Sequence, residues 1–183
     1  MKKYELTAEF IEKWGKKLFR IKALISFGSV EVGELGGYVE KEDNLAQTGN
    51  AWVYGDARVY GDAEVYGNAW VSGNAWVYGN ARVSGNAEVY GDARVSGNAD
   101  YLLIGRIGSR FGFTTFFKNK EKGITVSCGC FLGTIAEFRA KVTDTHGDNK
   151  HAKMYNMAAD MAELQILGEE HFDKLNTNKS EPF

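Results

Sequence analysis

The spacing of hydrophobic and polar residues changes along the chain and predicts three kinds of structure. Apolar side chains alternate with polar ones from Leu18 to Ile25, which predicts a strand in an N-terminal cap, residues 1–34. Thr7 could cap a short helix over 8–13 in the same segment. From 35 to 110 the pattern returns every six residues, and residues 111–168 carry strand-like and then helix-like patterns.

The middle segment is built from one hexapeptide, repeated without a break. From residue 53 it runs VYGDAR, VYGDAE, VYGNAW, VSGNAW, VYGNAR, VSGNAE, VYGDAR and VSGNAD. Ala, the next residue and Val make an in–out–in β step, and Gly with Asn or Asp then turns a corner. Three steps and three corners close a triangular coil of 18 residues. We therefore predict a mainly β fold, a parallel β-helix of about four coils over 35–110.

Residues 18 positions apart should lie above one another on such a coil. One predicted outer row is Glu64, Arg82 and Asp100, in which the charges alternate. A second row places Trp76 between two arginines, Arg58 and Arg94, as in a cation–π stack. A six-residue period alone does not require this agreement between rows, so it favours coils of 18 residues.

The C-terminal part predicts a small α+β unit, residues 111–168. Residues 113–118 and 124–131 have the pattern of a β-hairpin. Thr134 and Glu137 form a capping box at the start of one helix, and a second helix starts at Asp148 or Asn149. The second helix has apolar residues at helical spacing: Met154, Met157, Met161 and Leu164. Residues 169–183 are predicted to be a disordered polar tail.

Composition and charge narrow the classes of protein that fit. The net charge of −2 points to neither a specific nucleic acid nor an anionic membrane. The N-terminus is charged throughout, and no apolar run approaches the ~20 residues of a membrane span. Cys128 and Cys130 are separated by one glycine. They do not form a disulfide framework, and they suit a reducing compartment. We expect a cytoplasmic protein.

Each hexad has an aliphatic residue in first place and a small residue in fifth place. This pattern resembles the motif of the hexapeptide-repeat left-handed β-helix family. The resemblance implies a left-handed coil and a homotrimer, and many members are acyltransferases. Those enzymes use a histidine as general base, and the carbonic-anhydrase branch needs three. The histidines of this chain, His146, His151 and His171, all lie beyond the repeats. We therefore expect a scaffold without catalysis, cofactor or metal.

Aromatic residues are unusually dense on the outward positions of the repeats. They could pack along the stack, or they could form a self-association face, which we favour because exposed aromatic surface is costly on a monomer. The predicted interface consists of Trp52, Trp70, Trp76, Tyr54, Tyr60 and Tyr78.

The segment after the repeats holds the candidate binding chemistry. Glycine-flanked Arg106 and Arg110, near Thr114 and Thr115, could hold an anionic group, although a solvated basic loop fits equally well. Zinc at Cys128, Cys130, His146 and His151 is disfavoured, because the spacing does not match usual sites and buried core thiols are the simpler interpretation. A hydrolase or metal-dependent enzyme using Cys128, Cys130, His146 and Asp148 is a third hypothesis.

The ends of the chain add a second resemblance. The segments YELT, LGGYVEKEDNL and VSCGCFLGT…THGDNKHA resemble small hexapeptide-repeat proteins of phages and prophages, often labelled polymer-forming cytoskeletal proteins. This resemblance implies an accessory gene that could counter host defence. The leading hypothesis is a homotrimer that sequesters a small anionic, nucleotide-like host signal; the alternative is a module that self-assembles or inhibits a host defence protein. The candidate ligand residues are Arg106, Arg110, Phe113, Thr114, Thr115, Phe131, His146 and Asn149.

Overall fold

A computed structural model describes residues 1–171 of the chain. The chain divides into two compact units, Met1–Asn98 and the part from Ala99 onward. Predicted tail residues from 172 to 183 lie outside the described part.

The first unit begins with a hairpin rather than with a short helix. Strand β1 (Tyr4–Lys13) pairs antiparallel with β2 (Lys16–Ala23). Trp14 and Gly15 form the two-residue turn, both with positive φ, 50° and 73°, as a type I′ turn requires. The predicted helix over 8–13 is therefore wrong, because pairing along β2 outweighs the weak local helix signal at Thr7.

The repeats form very short strands separated by turns. Strand β3 (Leu35–Val39) leads into them and continues the hairpin sheet, because it pairs antiparallel with β2. Strands β4 to β11 are, in order, Trp52–Val53, Arg58–Val59, Glu64–Val65, Trp70–Val71, Trp76–Val77, Arg82–Val83, Glu88–Val89 and Arg94–Val95.

These strands stack in parallel on three faces, which confirms the predicted β-helix architecture. One face continues the hairpin in the order β1-β2-β3-β5-β8-β11; the others are β10-β7-β4 and β6-β9. Val59, Val77 and Val95 pair in succession, 18 positions apart. The solenoid has about three turns, one fewer than predicted. Its left hand stays a prediction.

The first turn is longer than the others. Val39 pairs with Val59, 20 positions away, and Leu45 bridges to Val65 at the same offset. A 3₁₀ turn, Glu42–Asn44, lies within this stretch. Asn44 is buried and donates from Nδ2 to the carbonyls of Gly61 and Ala63, at 3.1 and 2.8 Å. Asn44 therefore holds the longer first turn to the next coil from inside and is not an exposed corner residue.

The inside of the solenoid is filled by the alanines and valines of the hexads, each at most 1% exposed from Ala51 to Val95. The corners need glycine. At Gly67, φ is 72° and an added Cβ would lie 3.1 Å from the backbone nitrogen of Gly85 in the next coil. Hydrogen bonds between the side chains of Asn50, Asn68 and Asn86, at 3.1 Å each, link three successive corners.

The second unit is an antiparallel sheet covered by two helices. Its strands, β12 (Tyr101–Ile107), β13 (Gly112–Lys118), β14 (Ile124–Cys128) and β15 (Phe131–Thr134), pair in chain order. The hairpin of β13 and β14 confirms the sequence prediction. Residues 101–106 were predicted as a further solenoid step, but β12 pairs antiparallel with β13. This pairing ends the parallel stack, and moves the predicted boundary at residue 110 back to Asn98.

The two helices are α1 (Ile135–His146) and α2 (Lys150–Leu167). The predicted capping box is present: Glu137 N donates to Thr134 Oγ1 at 3.3 Å, and Thr134 N donates to Glu137 Oε2 at 2.8 Å. Phe138 and Val142 of α1 pack with Phe116 and Val126 of the sheet. The face of α2 that contributes to this core consists of Ala152, Ala158, Ala159, Ala162 and Ile166.

Candidate functional site

The predicted aromatic interface is partly buried within the first unit. Trp52 is fully buried, with its ring 5.4 Å from that of Phe27 and 6.2 Å from that of Tyr4. It cannot contact a partner, so its assignment to the interface is wrong. The reason is the N-terminal cap, which covers this end of the aromatic row and which hexad spacing alone does not locate.

Trp76 forms the predicted cation–π stack. The guanidinium of Arg94 lies 4.0 Å from the Trp76 ring centroid and that of Arg58 lies 5.9 Å away. Trp14, at the tip of the hairpin, adds an edge contact with Trp76 at 4.5 Å and stacks on Tyr60 at 5.6 Å. This outer face of the solenoid therefore carries a cluster of aromatic and basic side chains that contact one another, and the hairpin partly covers it.

The remaining predicted interface residues form stacks along the coils. Tyr60 lies parallel to Tyr78 at 5.3 Å, and Tyr54 stacks on Trp70 at 6.3 Å. Tyr54 is 42% exposed and Tyr66 is 40% exposed. A hydrogen bond to Glu34 raises the pKa of the Tyr54 hydroxyl. Tyr54 and Tyr66 are thus aromatic residues of the repeats that retain surface for a partner.

In the second unit, Thr114 and Thr115 are not available to a ligand. They are 1% and 2% exposed, and Thr114 Oγ1 donates to Cys128 Sγ at 3.2 Å. Asn149 is also engaged, because its Oδ1 accepts from the backbone nitrogens of His151 and Ala152, at 2.8 and 3.2 Å, as the N-cap of α2. These three predicted ligand residues have structural roles.

Of the predicted arginines, Arg106 lies at a break in the register near the end of β12, and Arg110 lies in the turn to β13. Arg106 and Arg110 are both exposed, and Arg106 has a positive φ of 57°. Phe113 is 40% exposed beside them in the chain. Farther along the basic segment, Lys118 Nζ pairs with Asp100 Oδ1 at 3.1 Å. Part of the local positive charge is therefore neutralised inside the unit.

Two other predicted ligand residues, Phe131 and His146, meet at a cavity of about 100 Å³. Strands β14 and β15 and helices α1 and α2 supply its walls. The lining residues are Cys128, Phe131, Phe138, Lys141, Val142, Thr145, His146 and Tyr155. Sequence reasoning did not single out Tyr155, although its i,i+4 spacing from His151 places both on one side of a helix.

Tyr155 is one of the polar residues that line this cavity. Its ring lies 5.8 Å from that of His146, nearly parallel at 27°. The pKa of the Tyr155 hydroxyl is raised, mainly by burial and further by the neighbouring Cys128. The positive charge of Arg110 acts in the opposite direction. Arg110 does not line the cavity, but it lies two residues after Gly108, whose Cα closely approaches the Tyr155 hydroxyl. The cavity has aromatic walls, and Lys141 at its rim is ion-paired with Asp144 at 3.1 Å.

The ring of His151 neighbours that of His146, with the two ring centroids 5.8 Å apart. Its Nδ1 is buried and finds no hydrogen-bond partner among the described residues. No group of three or more His, Cys, Asp or Glu side chains in residues 1–171 is arranged to hold a metal ion. The disfavoured zinc hypothesis therefore gains no geometric support.

A second, wider depression of about 560 Å³ lies on the first unit, at the long first turn of the solenoid. Its lining includes Glu42, Asp43, Asp62 and Glu64. Lys2, Lys41 and Arg82 pair with three of these acids, at 2.7, 3.0 and 3.4 Å. The depression is therefore largely charge-compensated by neighbouring side chains.

The fold defines this chain as a parallel β-solenoid protein with a small C-terminal α+β unit. In agreement, a family model for the YdcK beta solenoid repeat matches residues 63–79 and 75–89. No curated protein matches the chain. None of the helices over residues 1–171 has the length and apolar character needed to span a membrane.

Proposed function

We propose that this chain is a non-enzymatic binding protein whose second unit holds a small anionic ligand, with the solenoid as scaffold. The observation that carries the proposal is the cavity of about 100 Å³ where Phe131 and His146 converge with Tyr155. Small-molecule sites are typically apolar clefts with a few polar groups that orient the ligand. This cavity has that kind of lining, but at about 100 Å³ it is smaller than a typical site of roughly 300–1,000 Å³.

The chemistry of the cavity favours a planar ring attached to an anionic group. Phe131, Phe138 and Tyr155 offer aromatic surfaces against which a ring can stack. Arg110 is exposed and would offer positive charge to a phosphate outside the ring pocket, and Lys141 at the rim could do so in exchange for its 3.1 Å ion pair with Asp144. The volume admits a ring but not a whole nucleotide, so the sugar and phosphate would lie at the surface.

A nucleotide-like host immune signal is the ligand that we propose, and sequestration is the mode of action. The resemblance of the repeat-flanking segments to phage and prophage proteins supports an anti-defence role in the cytoplasm of the host bacterium. Cys128 supports binding over catalysis, because its thiol is engaged by Thr114 and Tyr155 inside the unit. The proposed assembly is a homotrimer, as in other proteins with hexapeptide repeats.

Calorimetry with cyclic nucleotides and ADP-ribose tests the proposal. We expect binding to the wild type, and a loss of at least tenfold in affinity for Arg110→Ala and for His146→Ala. Lys120→Ala is the matched control, since it removes the same charge as Arg110→Ala but lies at the other end of the β13–β14 hairpin from Cys128. Absence of heat with every ligand, or equal losses in the control, would overturn it.

A second proposed function is self-assembly, or inhibition of a host defence protein, through the solenoid. The observation that favours it is the exposure of Trp14, Tyr54 and Tyr66, at 59%, 42% and 40%. Serine already occupies the tyrosine position in other hexads, so Tyr54→Ser with Tyr66→Ser should leave the coil intact. We expect light scattering to show a trimer for the wild type and smaller species for the double variant. A monomeric wild type would contradict the assembly.

A further inference from the structure

The two cysteines of the chain lie at one tight turn of the second unit. Strands β14 and β15 are joined by only two residues, Gly129 and Cys130, because Cys128 pairs directly with Phe131. Of the two loop residues only Gly129 has a positive φ, 59°, which is the pattern of a type II′ turn. Cys128 and Cys130 therefore occupy the first and third positions of a turn rather than two positions along a strand.

This turn places the two cysteines within reach of a disulfide. Cα atoms two residues apart in an extended strand are separated by ~6.6 Å, close to the upper limit of about 6.8 Å for a disulfide. The chain reversal at Gly129 shortens this separation. A bridge across so small a loop is strained, and strained disulfides are the ones that are easily reduced again.

The two thiols differ in exposure and in their partners. Cys130 is exposed, and the space beside Gly129 is open, since an added Cβ there would meet no atom within 4 Å. Cys128 is half-buried, accepts a hydrogen bond from Thr114 Oγ1 at 3.2 Å and is hydrogen-bonded to Tyr155. The interpretation as a buried core thiol is therefore wrong for Cys130, which is the thiol that an oxidant in solution reaches first.

We propose that Cys128 and Cys130 form a site of reversible oxidation, at which a small-molecule disulfide such as oxidised glutathione converts the two thiols into an internal disulfide. The Cys130 thiolate attacks one sulfur of the oxidant, forms a mixed disulfide and releases one glutathione. The Cys128 sulfur then attacks the Cys130 sulfur, gives its proton to solvent and releases the second glutathione. The protein loses two protons and two electrons, which reduce the oxidant to two thiols.

Oxidation changes the cavity at Phe131 and His146, because Cys128 lines it. A disulfide holds its two sulfur atoms about 2 Å apart, so Cys128 Sγ moves toward the turn and away from Thr114 and Tyr155. This consequence rests on the proposed function of the cavity, whereas the disulfide itself does not. We expect the oxidised protein to bind its ligand at least tenfold more weakly than the reduced protein.

Intact-mass spectrometry tests the disulfide, because the chain has only two cysteines. The protein is incubated with oxidised glutathione, and the remaining free thiols are then alkylated. We expect the wild type to lose two hydrogen atoms and to take up no alkylating reagent, and a dithiol reductant to reverse both changes. A wild type that stays reduced, dimerises through Cys130 or keeps glutathione attached overturns the proposal.

Two matched variants test the order of the steps. Cys128→Ser keeps only the exposed thiol, so it should accumulate the mixed disulfide that the wild type resolves. Cys130→Ser keeps only the half-buried thiol and should react with oxidised glutathione at least tenfold more slowly. Equal rates for the two variants overturn the assigned order. Circular dichroism confirms that both variants fold.

Calorimetry with cyclic nucleotides and ADP-ribose, on the reduced and the oxidised protein, tests the effect on the cavity. Weaker binding after oxidation that is restored by reduction supports the effect, and equal binding by the two forms overturns it. A reduced protein that binds none of these ligands overturns the proposed function, while the mass change still decides whether the disulfide forms.

Discussion

The two units of this protein use their apolar residues in different ways. In the solenoid, each Ala and Val of a hexad points inward, and the coil fills itself with the side chains of its own repeats. In the second unit, the core is assembled from strands and helices that are far apart in the chain, such as Phe116, Phe138 and Ala159. The first packing arrangement is periodic, and the second is not.

This difference explains where each unit can carry function. The interior of a coil lined by Ala and Val offers no space for a ligand, so the solenoid can contribute only its outer faces. Irregular packing leaves a cavity between β14, β15, α1 and α2, where Phe131 and His146 meet, and leaves the Met157 face of α2 outward. The proposed scaffold and the proposed binding unit therefore occupy separate parts of the chain.

The largest expected effect is the loss of folding in the solenoid through Val77→Asp. Val77 is fully buried, and its removal from water contributes ~1.5–3 kcal/mol, while an unpaired buried carboxylate costs several kcal/mol more. We expect insoluble protein or loss of the β signal in circular dichroism. Asn80→Asp, at an exposed corner, should remain folded; a soluble, folded Val77→Asp protein would show that the inward assignment is wrong.

The next effect sharpens the role of the corners. Gly67 and Gly55 both have positive φ, 72° and 61°, but an added Cβ meets the next coil only at Gly67. Gly67→Ala should cost about 2–3 kcal/mol, and Gly55→Ala about 1–2 kcal/mol from the backbone conformation alone. Urea denaturation measures both. Equal losses of stability from the two substitutions would indicate that contact with the next coil does not restrict the corner position to glycine.

A third prediction concerns pH and the N-terminal cap. Lys3 is buried, donates to the Ala51 carbonyl at 2.9 Å, and has its pKa lowered to about 8 by burial. Between this value and the ordinary 10.5, the unfolded chain binds more protons at Lys3, so the stability of the folded state rises with pH. We expect a gain on the order of 2 kcal/mol from pH 7 to 10.

The difference between wild type and Lys3→Met isolates this effect from the titration of tyrosines. Tyr90, whose pKa burial raises to about 12, contributes in the opposite sense above its ordinary pKa of 10.0. Thermal denaturation from pH 7 to 10 measures both proteins. If the variant shows the same rise in stability with pH as the wild type, Lys3 is not the group responsible.

The smallest effect belongs to the second unit. Thr134→Ala removes the capping-box hydroxyl at the start of α1 and should cost about 1 kcal/mol. Hydrogen exchange should show the loss in α1 and the strands β13 and β14 that pack with it, whereas amides of the hexads keep their protection. Equal loss of protection in both units would show that they unfold together, contrary to the separate packing of the two units.

Much of the solenoid could be predicted because its contacts repeat. The Arg58–Trp76–Arg94 stack and the Glu64–Arg82 pair follow from an 18-residue offset that the hexads impose. The offset fails in the first turn, where Leu45 and Trp52 are separated by two more residues than Val65 and Trp70. A hydrophobic period cannot locate such an insertion once the hexads lose their pattern.

The candidate site was only partly predictable. Phe131 and His146 were identified for their chemistry, but Thr114, Thr115 and Asn149 have structural roles, and Tyr155 was not identified. Whether a threonine faces a ligand or the core depends on strand pairing and on helices that contact the sheet from other parts of the chain. These contacts are nonlocal and leave no periodic signal.

The sequence by itself determined the coil, its inward Ala and Val, its glycine corners and the capping box of α1, because local chemistry and periodicity specify each of them. Only the tertiary structure decided that Trp52 is buried beneath the cap, that the cavity forms beside Tyr155, and that the Met157 face of α2 points outward. Each of these depends on which distant segment covers a given face. Contacts between segments that are far apart in the chain decide which face is covered, and a hexapeptide repeat carries no information about those contacts.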